Sequence, residues 1–185
     1  MRTRVLRSMG LISVAGAILI STTAFASPSV STSATQAPSS SFCTAVPDGQ
    51  GQPTNKSICF GHENSVDAYL TEQGIRIQAP SAQSRTTAAS VVLGRAYQDT
   101  NLRGASFTYY GSSGCAGATF GFSPLASGWT NTISSAQGTN GCWLTLYSAT
   151  GFGGDRQNCT PTCTSVLRFN DAVKSIVFRP TGQLG

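Results

Sequence analysis

The sequence predicts an all-β fold in which two sheets pack face to face. Three observations predict it. From Val91 onward, short β-branched and aromatic runs alternate with glycine-rich breaks. A Tyr-x6-Gly spacing occurs twice, as Tyr97 with Gly104 and as Tyr147 with Gly154. Six cysteines, an even number, offer disulfide staples.

The chain opens with a secretory pattern. Arg2, Arg4 and Arg7 supply a cationic start, "LISVAGAILI" an apolar run, and "AFA" at Ala24 to Ala26 a small-residue cleavage site, so residues 1–26 are expected to be a signal peptide. The apolar run is too short and too interrupted by Ser13, Ser21 and Thr22 to span a bilayer, and no later stretch approaches the ~20 apolar residues of a membrane helix. The mature protein is expected to be exported, extracellular and monomeric. Removing the signal takes three of the twelve basic residues and leaves nine against seven acidic ones. The remainder are scattered, with Lys56 and Lys174 the only lysines, so the basic face that nucleic-acid binding requires is missing.

Residues 27–41, rich in Ser, Thr, Ala and Pro, read as a flexible linker that cannot bury a core. Residues 42–90 read as an N-terminal extension of weak independent stability. Within it, "FCTAVPDGQGQPTNKSICF" suggests a disulfide-closed, turn-rich loop. "NSVDAYLTEQG" suggests one short helix with Asn64 as cap, Asp67 in the first turn and Gly74 as the stop. "GIRIQ" alternates as a short strand would, and "APSAQSRTTAAS" returns to linker texture.

The strand-like runs are "SVVLGRAYQ", "ASFTYYG", "ATFGFS", "CWLTLYS", "SVLRFN" and "SIVFRP". Leu144 and Leu146 alternate with Trp143, Thr145 and Tyr147, and both sets are partly apolar, which favours two packed sheets over one exposed sheet. Cys43, Cys59, Cys115, Cys142, Cys159 and Cys163 in an exported chain are expected to form disulfides. Six cysteines allow fifteen connectivities, and their order alone does not choose among them. Pairing of neighbours is the expectation adopted: Cys43 with Cys59, Cys115 with Cys142, Cys159 with Cys163. Zinc is disfavoured because there is no paired C-x-x-C and the single histidine lies far from the last four cysteines.

Each Tyr-x6-Gly copy is followed by a related hexapeptide, "TNTISS" (Thr130 to Ser135) after the first and "NDAVKS" (Asn170 to Ser175) after the second. This pattern resembles the βγ-crystallin Greek-key motif, in which an aromatic residue, a glycine and a terminal serine recur once per four-stranded unit and two units make a domain. The resemblance implies a βγ-crystallin-like sandwich over residues 91–185, built of two Greek keys and preceded by the disulfide-stapled extension. It implies that Tyr97, Gly104 and Ser135 serve the first fold-back hairpin, and Tyr147, Gly154 and Ser175 the second. The glycines would take a positive φ and the serines would tie the hairpin backbone down.

In calcium-binding members of that family the hexapeptides supply oxygen ligands. Here Thr130, Asn131 and Ser134 would come from the first loop without a carboxylate, and Asn170 and Asp171 from the second, where Lys174 stands at a ligand position and repels a cation. No cofactor is required on this reading, and calcium binding is expected to be weak at most; the alternative is that both hexapeptides only preserve the hairpin tie.

Catalysis finds little support. His62 beside Glu63 lacks the second histidine of a zincin helix, "GFSPL" is not a nucleophile elbow, and the seven carboxylates are dispersed. A non-enzymatic binding role remains, with an extracellular protein as partner. The texture resembles exported metalloproteinase inhibitors and killer-toxin-like proteins of this fold. The first resemblance implies an inhibitory loop of Thr160, Pro161 and Thr162 framed by Cys159 and Cys163, although thermolysin-like enzymes favour a large apolar residue that this loop lacks. A disulfide-pinned turn is the plainer reading of the same residues. The second resemblance would be served by an exposed aromatic patch at Tyr109, Tyr110, Phe120, Phe122 and Trp129, for which core packing is the plainer reading.

Overall fold

A computed structural model describes residues 41–78 and 89–185. The expected signal peptide, the linker except Ser41, and most of "APSAQSRTTAAS" lie outside the described residues.

Within them the chain runs β1 (Phe42–Pro47), β2 (Pro53–Phe60), α1 (Glu63–Glu72), β3 (Val91–Asp99), β4 (Arg103–Gly111), β5 (Phe120–Phe122), β6 (Ser135–Gly138), β7 (Cys142–Tyr147), β8 (Arg156–Cys159), β9 (Thr162–Cys163) and β10 (Ser175–Pro180). Two sheets result, ordered β2-β1-β4-β3-β6-β9 and β5-β10-β7-β8. Strands β3 to β6 form one Greek key and β7 to β10 the other. Each key lends its third strand to the other sheet: β5 pairs with β10, and β9 with β6. The result is an all-β sandwich of two interlocked Greek keys.

Alternation along the strands builds the core, because successive side chains point to opposite faces. Leu144, Leu146, Ile176 and Phe178 share one buried cluster with Ala96, Phe107, Tyr109 and Ala136 of the other sheet. The Tyr109 ring lies 5.5 Å from that of Phe178, so the two inner faces interdigitate.

The extension merges with the larger sheet. The stretch expected as a turn-rich loop is a hairpin, in which Cys43 and Cys59 sit directly opposite and are disulfide-bonded. Its β1 then runs parallel to β4, Thr44 Oγ1 donates to the Thr108 carbonyl at 3.0 Å, and Tyr110 donates to the Ala45 carbonyl at 3.2 Å. Polar residues such as those of β2 adopt strand structure here because ladder hydrogen bonds and the crosslink hold them, not because of their propensity.

Helix α1 begins one residue before Asn64, so the expected cap lies inside the first turn, and His62 in the capping position makes no side-chain bond to it. Gly74, at φ +75°, follows its end as expected. Val66 and Leu70, four residues apart on one face, are fully buried, which is worth about 1.5–3 kcal/mol each. From the same helix Glu63 and Asp67 both reach Arg95 of β3, the first at 3.0 Å.

Two local expectations are corrected. "SVLRFN" is not a strand: Leu167–Phe169 form a 3-10 turn in which Val166 and Phe169 are buried while Leu167 is 72% exposed. Apolar residues three apart suit a single helical turn better than a pleat. "GIRIQ" contributes only one bridge, Arg76 to Val91. No helix among the described residues is long and apolar enough to cross a membrane.

Candidate functional site

Each Greek key carries the same serine clasp. In the first, Ser135 Oγ accepts from the Leu102 amide at 3.0 Å and donates to the Asp99 carbonyl at 2.5 Å. In the second, Ser175 Oγ accepts from the Phe152 amide at 3.2 Å and donates to the Ala149 carbonyl at 2.7 Å. Gly104 and Gly154 stand at φ +77° and +75°, in the left-handed region that a Cβ disfavours. A Cβ would also lie 2.5 Å from Asp99 Oδ2 at the first position and 2.5 Å from Ser148 Oγ at the second. Tyr97 and Tyr147 are each only 6% exposed. Tyr97 hydrogen-bonds Glu63 of α1 at 3.4 Å, and burial, with the Glu63 charge adding to it, pushes its pKa up to about 12. Tyr147 accepts from Arg179 at 3.0 Å.

The two hexapeptides cross each other in matched fashion. The Asn131 amide donates to the Val173 carbonyl at 2.9 Å, and the Asp171 amide donates to the Ile133 carbonyl at 3.2 Å. Asn131 and Asp171 both take positive φ, +62° and +54°. Ser134 and Lys174 occupy equivalent positions, their amides donating to the Tyr97 and Tyr147 carbonyls. The side chains break the symmetry. On one side, Ser134 Oγ donates weakly to Asp171 Oδ1 at 3.4 Å and Asn170 donates to Asp171 Oδ2 at 2.9 Å. On the other, Asn131 faces a loop whose matching residue is Lys174. A hard divalent cation gains affinity from carboxylates. The donor set around Asp171 offers one carboxylate with the Ser134 hydroxyl; the half around Asn131, where Thr130 is half-buried, has no carboxylate and fits the ion less well. Among the described residues no group of three His, Cys, Asp or Glu gathers anywhere.

The segment Thr160 to Thr162 is the crossing from β8 in one sheet to β9 in the other. The Cys159–Cys163 disulfide closes it, and Cys115–Cys142 is the third bond, so all six cysteines are joined. Thr160 and Pro161 are exposed, Thr162 pairs with Gln137, and the Pro161 carbonyl accepts from the Gly138 amide at 2.9 Å. The crossing is therefore bound at both ends and on one side, and presents two residues outward.

The five rings weighed as an exposed patch or, more plainly, as core packing are placed largely inside. Tyr109, Tyr110 and Trp129 are buried, and Phe120 and Phe122 half-buried. Their bulk is spent on packing: Phe107 contacts Tyr109 and Trp129 at 4.9 and 5.6 Å, and Tyr109 contacts Phe122 at 4.9 Å. Three of them, Tyr109, Tyr110 and Phe122, instead line a pocket of about 560 Å³, which Ala45 and Pro53–Asn55 of the hairpin close from one side and residues 121–127 from the other. The Tyr109 hydroxyl is buried in that wall without a hydrogen-bond partner. Leaving such a group unpaired costs about 1–3 kcal/mol. Sequence reading identified these rings but not the hairpin side of the pocket, where Pro53 to Asn55 carry no pattern. It also missed the Arg95 clamp, although Glu63 and Asp67 at a four-residue spacing were a signal of it. His62 is exposed at the start of α1, and its neighbour Glu63 is engaged with Arg95.

No protein-family model and no curated protein matches the sequence. Solved structures do. The N-terminal domain of protein S aligns over 48% of this chain and 96% of its own, with 18% identity and a TM-score of 0.39. A βγ-crystallin domain from Flavobacterium johnsoniae aligns over 50% and 99%, with 21% identity and a TM-score of 0.38. One from Clostridium beijerinckii aligns over 47% and 97%, with 17% identity and a TM-score of 0.38.

Proposed function

We propose that the protein is secreted and non-enzymatic, and that it binds an extracellular protein, a metalloproteinase before other partners, through the crossing at Thr160, Pro161 and Thr162. The observation that supports this is the crossing itself: two exposed residues on a disulfide-closed link whose flanks are fixed in two different sheets. A segment already held in one conformation loses little entropy on binding, which is the advantage an inhibitory loop needs. Six cysteines paired in three bonds suit an oxidising compartment. The test is titration of the protein lacking residues 1–26 against a thermolysin-like and a subtilisin-like enzyme. Stoichiometric loss of the first activity, abolished when Cys159 and Cys163 are both replaced by Ala, is the expected result; full activity of both enzymes at excess protein defeats the reading.

A second reading is favoured by the Asp171–Ser134 pair: a killer-toxin-like or structural stress module with one weak calcium site, dissociating near ~10⁻⁴ to 10⁻³ M. Calorimetry on wild type and Asp171→Ala separates it from the first. Heat that is unchanged by the substitution removes the second loop from consideration.

A further inference from the structure

We infer that the pocket between the β1–β2 hairpin and residues 121–127 is a binding site for a small neutral molecule that carries a flat ring and a hydrogen-bond acceptor. Its volume, about 560 Å³, lies within the range of sites that enclose small organic ligands. Phe107, Tyr109, Tyr110, Phe122, Pro53 and Leu125 supply ring faces and aliphatic surface for stacking and edge contacts. No Asp, Glu, Lys, Arg or His lines it, so a charged ligand would lose its hydration without gaining a counter-charge, and a neutral one would not.

The hydroxyls of the wall decide where the acceptor goes. Thr54 donates to the Val46 carbonyl at 2.7 Å, Tyr110 to the Ala45 carbonyl, Thr108 Oγ1 is met by Arg95 at 3.2 Å, and Ser123 Oγ is met by the Gly151 amide at 2.6 Å. Tyr109 alone among the buried hydroxyls lining the pocket has no partner. Burial pushes its pKa upward, so it stays a donor across the ordinary pH range. That hydroxyl has no exposed surface, so an acceptor meets it only when a neighbouring ring moves; Phe122, half-buried and packed 4.9 Å from Tyr109, lines the same pocket. Asn55 and Ser127, both exposed, stand at the rim. This site is independent of the Thr160–Thr162 crossing.

The test compares two probes of one shape, 2-acetonaphthone with an acceptor and 2-ethylnaphthalene without, by amide chemical-shift titration of the protein. Saturable shifts confined to residues 53–55, 107–110 and 121–127 are expected, with the ketone bound about three- to tenfold more tightly, the worth of one hydrogen bond. Tyr109→Phe should bring the ketone to the affinity of the hydrocarbon, and Ser127→Trp at the exposed rim should weaken both. The inference is overturned by no saturable shift at those residues, by equal affinities in wild type, by a ratio that survives Tyr109→Phe, or by indifference of both probes to Ser127→Trp.

Discussion

Ser135 accepts a hydrogen bond from the amide of Leu102, thirty-three residues earlier in the chain, at 3.0 Å, and so fastens the fold-back of the first hairpin to the last strand of its Greek key. Ser175 does the same for Phe152 in the second. Both serines are fully buried. Replacing either by Ala removes both bonds of a part-buried clasp, and each variant should lose about 1–3 kcal/mol, read as a lower denaturant midpoint with an unchanged slope. A change below a few tenths of a kcal/mol would show the clasp to be incidental.

The glycines under those hairpins predict an unequal pair. Gly104→Ala and Gly154→Ala both force a Cβ into positive φ, at about 1–3 kcal/mol. The added methyl at Gly104 meets the Asp99 carboxylate, which can swing away, whereas at Gly154 it also meets the backbone of Ala149 at 3.2 Å. Thermal unfolding should therefore place Gly154→Ala below Gly104→Ala.

The tyrosines set an alkaline limit. Tyr97 has its pKa raised from 10.0 to about 12, first by burial and then by Glu63, and burial raises Tyr109 and Tyr110 further. A group whose folded-state pKa lies above its unfolded value keeps its full contribution below the unfolded one and loses it as pH rises past it. The contribution of these groups to stability should be flat up to about pH 10 and fall from there through pH 12, read as a falling denaturant midpoint while their tyrosinate absorbance in the folded protein stays low. Tyr97→Phe should make the fall shallower.

Lys174 holds the position that Ser134 holds in the other loop. Lys174→Ser removes an ammonium from the Asn131 side, and calorimetry should find calcium bound about tenfold more tightly or at a second site, given the size of a like-charge term near a surface. No gain would show that the missing carboxylate, rather than the lysine, sets the limit.

What was legible in the residues follows from what each kind of signal encodes. The runs that became β3, β4, β5, β7 and β10 are β-branched and aromatic stretches set between glycine-rich breaks, so they are legible as strands locally. The repeat is legible because Gly104 and Gly154 do something few residues can do. Strands β6, β8 and β9 are short and polar, "SAQG", "RQNC" and "TC", and are strands only because a neighbour pairs with them. "PTNKSICF" of β2 is alike in this, held by Cys43 opposite Cys59. "SVLRFN" misled because Val166 and Phe169 carry a spacing that composition alone does not separate from a strand. The pocket was half-visible: its rings stood out, but the hairpin that completes it is more than fifty residues away in the chain and joins β4 through parallel pairing that no local pattern announces.

Because β5 is seated beside β10 and β9 beside β6, neither Greek key can close its own hydrophobic interior. Cutting the chain at the turn around Asn140 would yield two halves that are each one strand short and each carry the strand the other needs. Such halves are complementary by construction: mixed, they are suited to reassemble as a two-piece reporter, and a tandem or crowded chain has a ready route to exchange halves with its neighbour.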